Sequence, residues 1–390
     1  MSLVDFQDIQ KQKAISTSKS LELRHYEIEV PIVAGKQIMV NQKAIIGCVL
    51  GTAVGDALGL PYEGMSPSRA HKLLGPPDRY RFVLGRGMIS DDTEHTCMVS
   101  QCLIESGDNV DTFTRRFASR LRWWILALPA GVGKATARSC IKLWLGIRPS
   151  KSGVYSAGNG PAMRAAILGA TIVDIPKLLE FVRASSRLTH TDPKAEFGAV
   201  AVALAARESS QHDSVNAERW LELVSQALPS EAADLIEMLR SAIASVAKRE
   251  STRTYANGLG LGRGVSGYTY HTVPVAIHCW LTFPDDFQKG LTAAIECGGD
   301  ADTTAAIVGG IVGARVGKEG IPTELISGIW EWPRSVRWME SLGTALSQAW
   351  PSPHASRAPS ANPIAVVLRN LVFLAIVLCH GFRRLGPPYS

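Results

Sequence analysis

Gly298-Gly299-Asp300-Ala301-Asp302-Thr303-Thr304 leads from a Gly-Gly turn into the apolar run Ala305 to Gly317. The two together read as a loop feeding a helix. Two carboxylates and two hydroxyls crowd into five residues, where the helix dipole favours each acid by only ~0.3–1 kcal/mol. A well-capped helix accounts for one aspartate and one threonine. It does not account for two alternating aspartates beside so apolar a run, because buried carboxylates need partners. No Lys or Arg follows until Arg315. A hard divalent cation, which takes oxygen ligands, is the better partner.

The apolar run carries Ala305, Gly309, Gly313 and Gly317 four residues apart, and Gly47, Gly51, Gly55 and Gly59 repeat that spacing through Ala44–Leu60. Glycine weakens a helix by ~1 kcal/mol per residue, so two such rows need a packing reason. A membrane dimer face would supply one. Asp56 interrupts the first row, however, and Pro61 ends it, short of a span of about 20 residues. Two smooth helices packed at close range in a soluble core are expected instead. Antiparallel, they bring Asp56 and Glu63 from one helix to the same end as Asp300 and Asp302 from the other. A third acidic group, Ser90-Asp91-Asp92-Thr93-Glu94, precedes the helix-like run Thr96 to Glu105. Ser90 there reads as an N-cap whose hydroxyl bonds a first-turn N–H.

Elsewhere the connections join helix to helix, without β-α-β alternation, so the chain reads as all-α: a compact orthogonal bundle of many helices over residues 44–350. Residues 1–43 differ. Tyr26, Ile28 and Val30 alternate with Glu27 and Glu29, and 36–40 could return, giving a short β-like arm that is either a strap or a partner-binding element. Four prolines make 351–363 a linker. The apolar run Ile364 to Cys379 is broken by Arg369-Asn370, so the 364–390 tail reads as a packed terminal helix and no membrane span is expected. At 390 residues, 46% apolar and 19% charged, the chain is not disordered. The net charge of +6, from basic residues scattered through the middle, does not imply nucleic acid. Seven cysteines without a CxxC pair, and a polar N-terminus, point to the reducing cytoplasm. Gly131-Val132-Gly133-Lys134 fails as a phosphate loop, since Leu128 and Ala135 occupy positions that need Gly and Ser or Thr. The turn Ser156 to Pro161 could present N–H groups to an anion or be a plain loop. His190, in a cap before Ala195 to Arg207, reads as structural.

Taken together these motifs resemble the ADP-ribosylglycohydrolase family, of the dinitrogen reductase-activating glycohydrolase kind. The stretches that carry the resemblance are Gly51 to Gly59 with Glu63, Ser90 to Thr93, Gly158 to Gly160 with Met163-Arg164, Thr189-His190, and Gly298 to Thr304. They stand in the family's order from about residue 44 to 345. The resemblance implies two Mg²⁺ or Mn²⁺ ions held by Glu63, Ser90, Asp91, Asp92, Asp300, Asp302 and Thr303, with Asp300 and Glu63 as the catalytic carboxylates. It implies an ADP-ribosylated protein as substrate, arginine-linked in the first instance. Gly131, Gly133, Gly158, Asn159, Gly160 and His190 would bind that substrate, and Tyr268 would stack on adenine. Many relatives have Asp-Ile-Gly where this chain has Gly131-Val132-Gly133, which removes one carboxylate from the expected site. Two rival readings use the same scaffold. One is an immunity-type protein whose arm blocks an ADP-ribosyltransferase toxin; the other is a nucleotide phosphohydrolase.

Overall fold

The structure, a computed structural model, describes residues 41–352 and 356–383. The expected β-like arm therefore lies outside the described residues, apart from its last three positions. The first half runs through α1 (Gln42–Gly59), α2 (Pro67–Leu74), α3 (Asp91–Ser106), α4 (Val110–Trp124), α5 (Lys134–Trp144), α6 (Ala166–Thr171), α7 (Ile175–Arg187) and α8 (Pro193–Gln211). The second comprises α9 (Ala217–Ala227), α10 (Ala233–Ala247), α11 (Thr252–Gly258), α12 (Thr269–Thr282), α13 (Phe287–Ile295), α14 (Ala301–Val316), α15 (Thr323–Gly328), α16 (Val336–Ala349) and α17 (Pro363–Arg383). Among the described residues there is no sheet, only isolated β-bridges. The all-α expectation holds.

Many helix starts are written locally. Asn41, Asn109, Asp174, Asp192 and Ser335 each accept a first-turn N–H, a cap worth about 1 kcal/mol. Peripheral helices are one-sided: α7 buries Ile175, Leu178, Phe181 and Val182 while Lys177 and Glu180 stay outward. Helices α1 and α14 are buried almost all round.

These two form the centre, antiparallel as the glycine rows require. Gly47 faces Gly313, Gly51 faces Gly309, Gly55 faces Ala305 and Gly59 faces Ala301. A Cβ on Gly51 would stand 2.1 Å from the carbonyl oxygen of Gly309, and one on Gly309 would meet the Gly51 carbonyl at the same distance. Only hydrogen fits between these backbones. Around the pair, α8, α12 and α13 pack on α14, and α16 packs on α1.

By length and composition two helices could cross a membrane, Gln42–Tyr62 and Pro363–Arg383. The first is the core helix. The second, α17, belongs to the same compact unit as the core and is tied down at both ends of its inner face. Arg369 donates to both oxygens of Glu331, each at 2.6 Å, and to Ile89 O at 2.6 Å; Asn370 donates to Ala127 O, and His380 Nε2 lies 3.0 Å from Pro61 O. The 351–363 segment is held to the core in places: Gln101 donates to Pro359 O, Ser356 N–H to Ile104 O, and Ala358 is buried.

Candidate functional site

The acids meet because α1 and α14 are antiparallel, and α3 is hung on the same end. The device that hangs it is Asp56. Its carboxylate accepts the backbone N–H groups of Ser90 (2.8 Å) and Thr93 (3.2 Å) and the Thr93 hydroxyl (2.5 Å). Asp56 thus caps α3 from another helix. Burial, partly offset by these hydrogen bonds, pushes its pKa up to about 6. Ser90 and Asp300, at the N-cap positions of α3 and α14, make no capping bond with their side chains. The expectation that the Ser90 hydroxyl caps its own helix is corrected: Asp56 already serves those N–H groups, and Ser90 Oγ turns to Asp92 Oδ2 at 3.3 Å.

The Gly298-Gly299 turn is threaded between two loops. Gly64 N–H donates to Gly299 O, Gly299 N–H to Met65 O, and Asp300 N–H to Val265 O. Both glycines have positive φ (+67° and +76°), and a Cβ on Gly299 would lie 1.9 Å from Val265 O. No other residue fits there. Asp300 leaves this turn with its Oδ2 accepting from Asn159 Nδ2 at 2.6 Å, while Asn159 also donates to Thr272.

A cleft of about 510 Å³ opens above these groups, a size suited to a small-molecule moiety. Glu63, Ser90, Asp91, Asp300, Asp302 and Thr303 border it, and so do Gly131, Gly133, Gly158, Asn159, Gly160 and His190. Asp92 sits just beneath, 1% exposed, and accepts the Thr303 hydroxyl at 3.3 Å. Asp92 Oδ1 and Asp302 Oδ1 are buried without a hydrogen-bond partner. Burial, then the charges of neighbouring carboxylates, holds Asp91, Asp92 and Asp302 well above the usual carboxylate range. Among the described residues no three His, Cys, Asp or Glu side chains are already grouped tightly enough to hold an ion. The oxygen set counts in addition the hydroxyls of Ser90 and Thr303.

His190 lies flat under the glycine turn: a Cβ on Gly160 would meet its ring at 2.9 Å. Burial and the Arg164 cation depress its pKa to about 3, so it is neutral. Tyr268 is not among the residues that border the cleft, although its neighbours Ser266 and Gly267 are. It stands at the N-cap of α12, its ring beside Tyr270 and His271 and its hydroxyl taking a bond from Lys194.

Three groups in or behind the site carried no role in the sequence reading. Asp56 was visible as an acid inside a glycine-rich helix. Arg164, wholly buried, donates to Gly160 O, Ser185 O and Thr189 Oγ1 and braces the turn from below. Burial lowers its pKa to about 9. Phe373 and Val377 of α17 complete the cleft wall, and nothing local announces that.

Comparison with known proteins agrees with this architecture. The family model described as ADP-ribosylglycohydrolase matches residues 39–355. An uncharacterized protein of Archaeoglobus fulgidus is 32% identical over 306 residues, covering 77% of this chain and 94% of its own. The ADP-ribosyl-[dinitrogen reductase] glycohydrolase of Rhodospirillum rubrum is 27% identical over 290 residues, covering 72% and 88%. A solved structure described as an ADP-ribosylglycohydrolase-related protein complex is similar with a TM-score of 0.58 and 26% identity, over 79% of this chain and 98% of that one. Nothing in these likenesses points to a toxin-blocking role. With the glycine-paired core, the convergent acids and a match over most of its length, the chain belongs to the ADP-ribosylglycohydrolase family.

Proposed function

We propose that the protein is a divalent-metal-dependent hydrolase that releases ADP-ribose from modified protein side chains. The observation that carries this reading is the pair of orphaned, buried carboxylate oxygens, Asp92 Oδ1 and Asp302 Oδ1, beside a cleft edged by further acids. Buried carboxylates without partners are strongly unfavourable, and an all-oxygen set of acids and hydroxyls fits Mg²⁺ or Mn²⁺. Ser90, Asp91, Asp92, Asp302 and Thr303, with Glu63 and Asp300, would hold a pair of such ions. When bound, the ions would neutralise the acids and supply Lewis-acid chemistry.

The chain's own groups then divide the remaining work. Asp300, aimed by Asn159, is suited to hold an attacking water and take its proton. Glu63, exposed at the rim, can serve the leaving group. The surrounding carboxylates favour the positive charge that develops on the ribose as the glycosidic bond breaks. Gly158 to Gly160, with neutral His190 beneath, leaves the small turn open for backbone approach to the diphosphate. Gly131 has φ +84°, and a Cβ there would lie 3.6 Å from Asp91 Oδ1. A glycine at this position keeps another carboxylate away from the site, which bears on whether arginine- or serine-linked ADP-ribose is taken. All seven cysteines are unpaired and six are buried, which supports action in the reducing cytoplasm.

The test is incubation with arginine- and serine-ADP-ribosylated proteins in Mg²⁺ or Mn²⁺. Free ADP-ribose is the expected product; AMP would indicate a phosphohydrolase, and no turnover a binding protein. Asp92→Asn and Asp302→Asn should each abolish release. They should also remove most of the metal-induced rise in melting temperature, which for wild type grows with metal concentration as mass action requires. A wild type that melts alike in EDTA and in excess metal would refute the metal reading.

A further inference from the structure

The outer face of α17 is apolar and uncovered among the described residues. Ile364, Leu368, Leu371, Ala375, Leu378 and Phe382 follow one another at alternating steps of four and three and are all exposed, Phe382 by 72%. No charged residue stands among them; the helix's buried cation, Arg369, points inward to Glu331. A helix–helix seam in water carries flanking charges along its length, and between Ile364 and Phe382 this face shows none.

A second exposed patch lies beside the helix. Asn370 of α17 is bonded to Ala127 O, and Leu126 and Leu128 on either side of Ala127 are 52% and 54% exposed. Beyond them Trp123 and Trp144 meet edge to face at 5.3 Å, with Leu145 exposed by 76%. Monomers in water rarely leave apolar patches like these uncovered.

The basic residues that read as scattered through the middle of the sequence share one segment with this patch. Residues 112–173 hold ten Lys and Arg and no Asp or Glu; Arg164 is buried and Arg116 and Arg120 pair with Glu105, which leaves seven. Arg122 lies over the Trp144 ring at 5.3 Å, and Arg138 and Ile141 are exposed along one side of α5, with Leu145 exposed just past its end. Exposed aliphatics, interfacial tryptophans and the exposed Arg122, Arg138 and Arg148 together match an anionic bilayer. Nucleic acid would match the charge but leave the leucines in water.

We infer that this surface docks the protein peripherally on an anionic lipid bilayer, with α17 lying in the headgroup plane and not spanning it. Arg369, Asn370 and His380 keep the inner face of α17 on the protein, so the helix lies on the membrane as an interfacial helix does. The cleft borders the same helix through Phe373 and Val377, so docking would bring the site close to modified proteins at that surface.

The test is co-sedimentation of the full chain with vesicles of phosphatidylcholine alone and of an equal mixture with phosphatidylglycerol. Binding is expected to the mixture only, and raised salt should weaken it. Reversing Arg122, Arg138 and Arg148 to Glu should weaken partition by roughly a hundredfold or more, given the contribution of each basic residue at such a surface. Leu371→Glu with Leu378→Glu should abolish it, with thermal melts showing both variants folded. Absence of sedimentation, or equal sedimentation with neutral vesicles, would overturn the proposal. So would a homodimer in solution that the leucine variant dissolves, or binding to DNA or RNA in place of vesicles.

Discussion

His190 and Asp56 show how single buried groups set the pH response of the fold. Burial and Arg164 depress His190 to about 3, whereas an unfolded histidine titrates near 6.5. Between those values the unfolded chain binds a proton that the folded one refuses. The stability contributed by His190 is therefore full above pH about 6.5 and is lost as pH falls through about 3, an effect on the order of 3–5 kcal/mol. His190→Gln should flatten the acid limb of melting temperature against pH relative to wild type, and an unchanged limb would show that His190 is protonated in the fold. Asp56 works in the opposite direction. Its pKa is raised to about 6, so its contribution is full below about 4 and lost as pH rises through about 6. Measured without metal, the two trends oppose each other between about pH 4 and 6.

At the scale of elements, the α1–α14 pair decides whether the acids meet at all. Its backbones touch at Gly51 and Gly309, where a Cβ would stand 2.1 Å from a carbonyl oxygen. Gly51→Ala forces these helices apart, and overpacking of this kind in a core costs about 1–3 kcal/mol or more. Because the shift also displaces Asp302 from Asp92, the variant should lose its response to metal along with stability. Gly258→Ala, also in a helix, is the control: nothing lies within 4 Å of the added methyl. It should be neutral or stabilising by about 0.4–1 kcal/mol. Chemical denaturation of both separates a packing effect from helix propensity. Equal changes would mean that the glycine rows are not a packing device.

At the scale of the molecule, α17 is joined to the site by a buried ion pair whose arginine lies beyond the family match. Glu331 accepts Ile89 N–H as well as Arg369, and Arg369 donates to Ile89 O. Ile89 immediately precedes Ser90, so the pair grips the strand of chain that feeds α3. Arg369→Met leaves Glu331 buried and unpaired, which costs about 3–5 kcal/mol, whereas replacing both partners is often close to neutral. The double variant Arg369→Met with Glu331→Gln should therefore recover most of the lost stability in urea unfolding. A double variant no more stable than the single one would place the contribution of α17 in its apolar contacts.

Spacing alone made the core legible. Residues four apart on a helix share a face, so two glycine rows specify a close antiparallel pair and put Asp56, Glu63, Asp300 and Asp302 at one end. Motif order likewise marked the acids at 91–92 and the turn at 158–160. Side-chain partners were not legible, because they depend on which groups packing removes from water together. Ser90 looked like an ordinary cap until Asp56, 34 residues away, took its N–H. Tyr268 read as a stacking surface, and the fold adds His271 edge-on to its ring. Arg369, an interruption in an apolar run when read locally, becomes a buried anchor only because Glu331 is desolvated beside it. Local periodicity therefore sufficed for the helices and the position of the acids; the long-range exchange of water for particular partners decided what each acid and cation does.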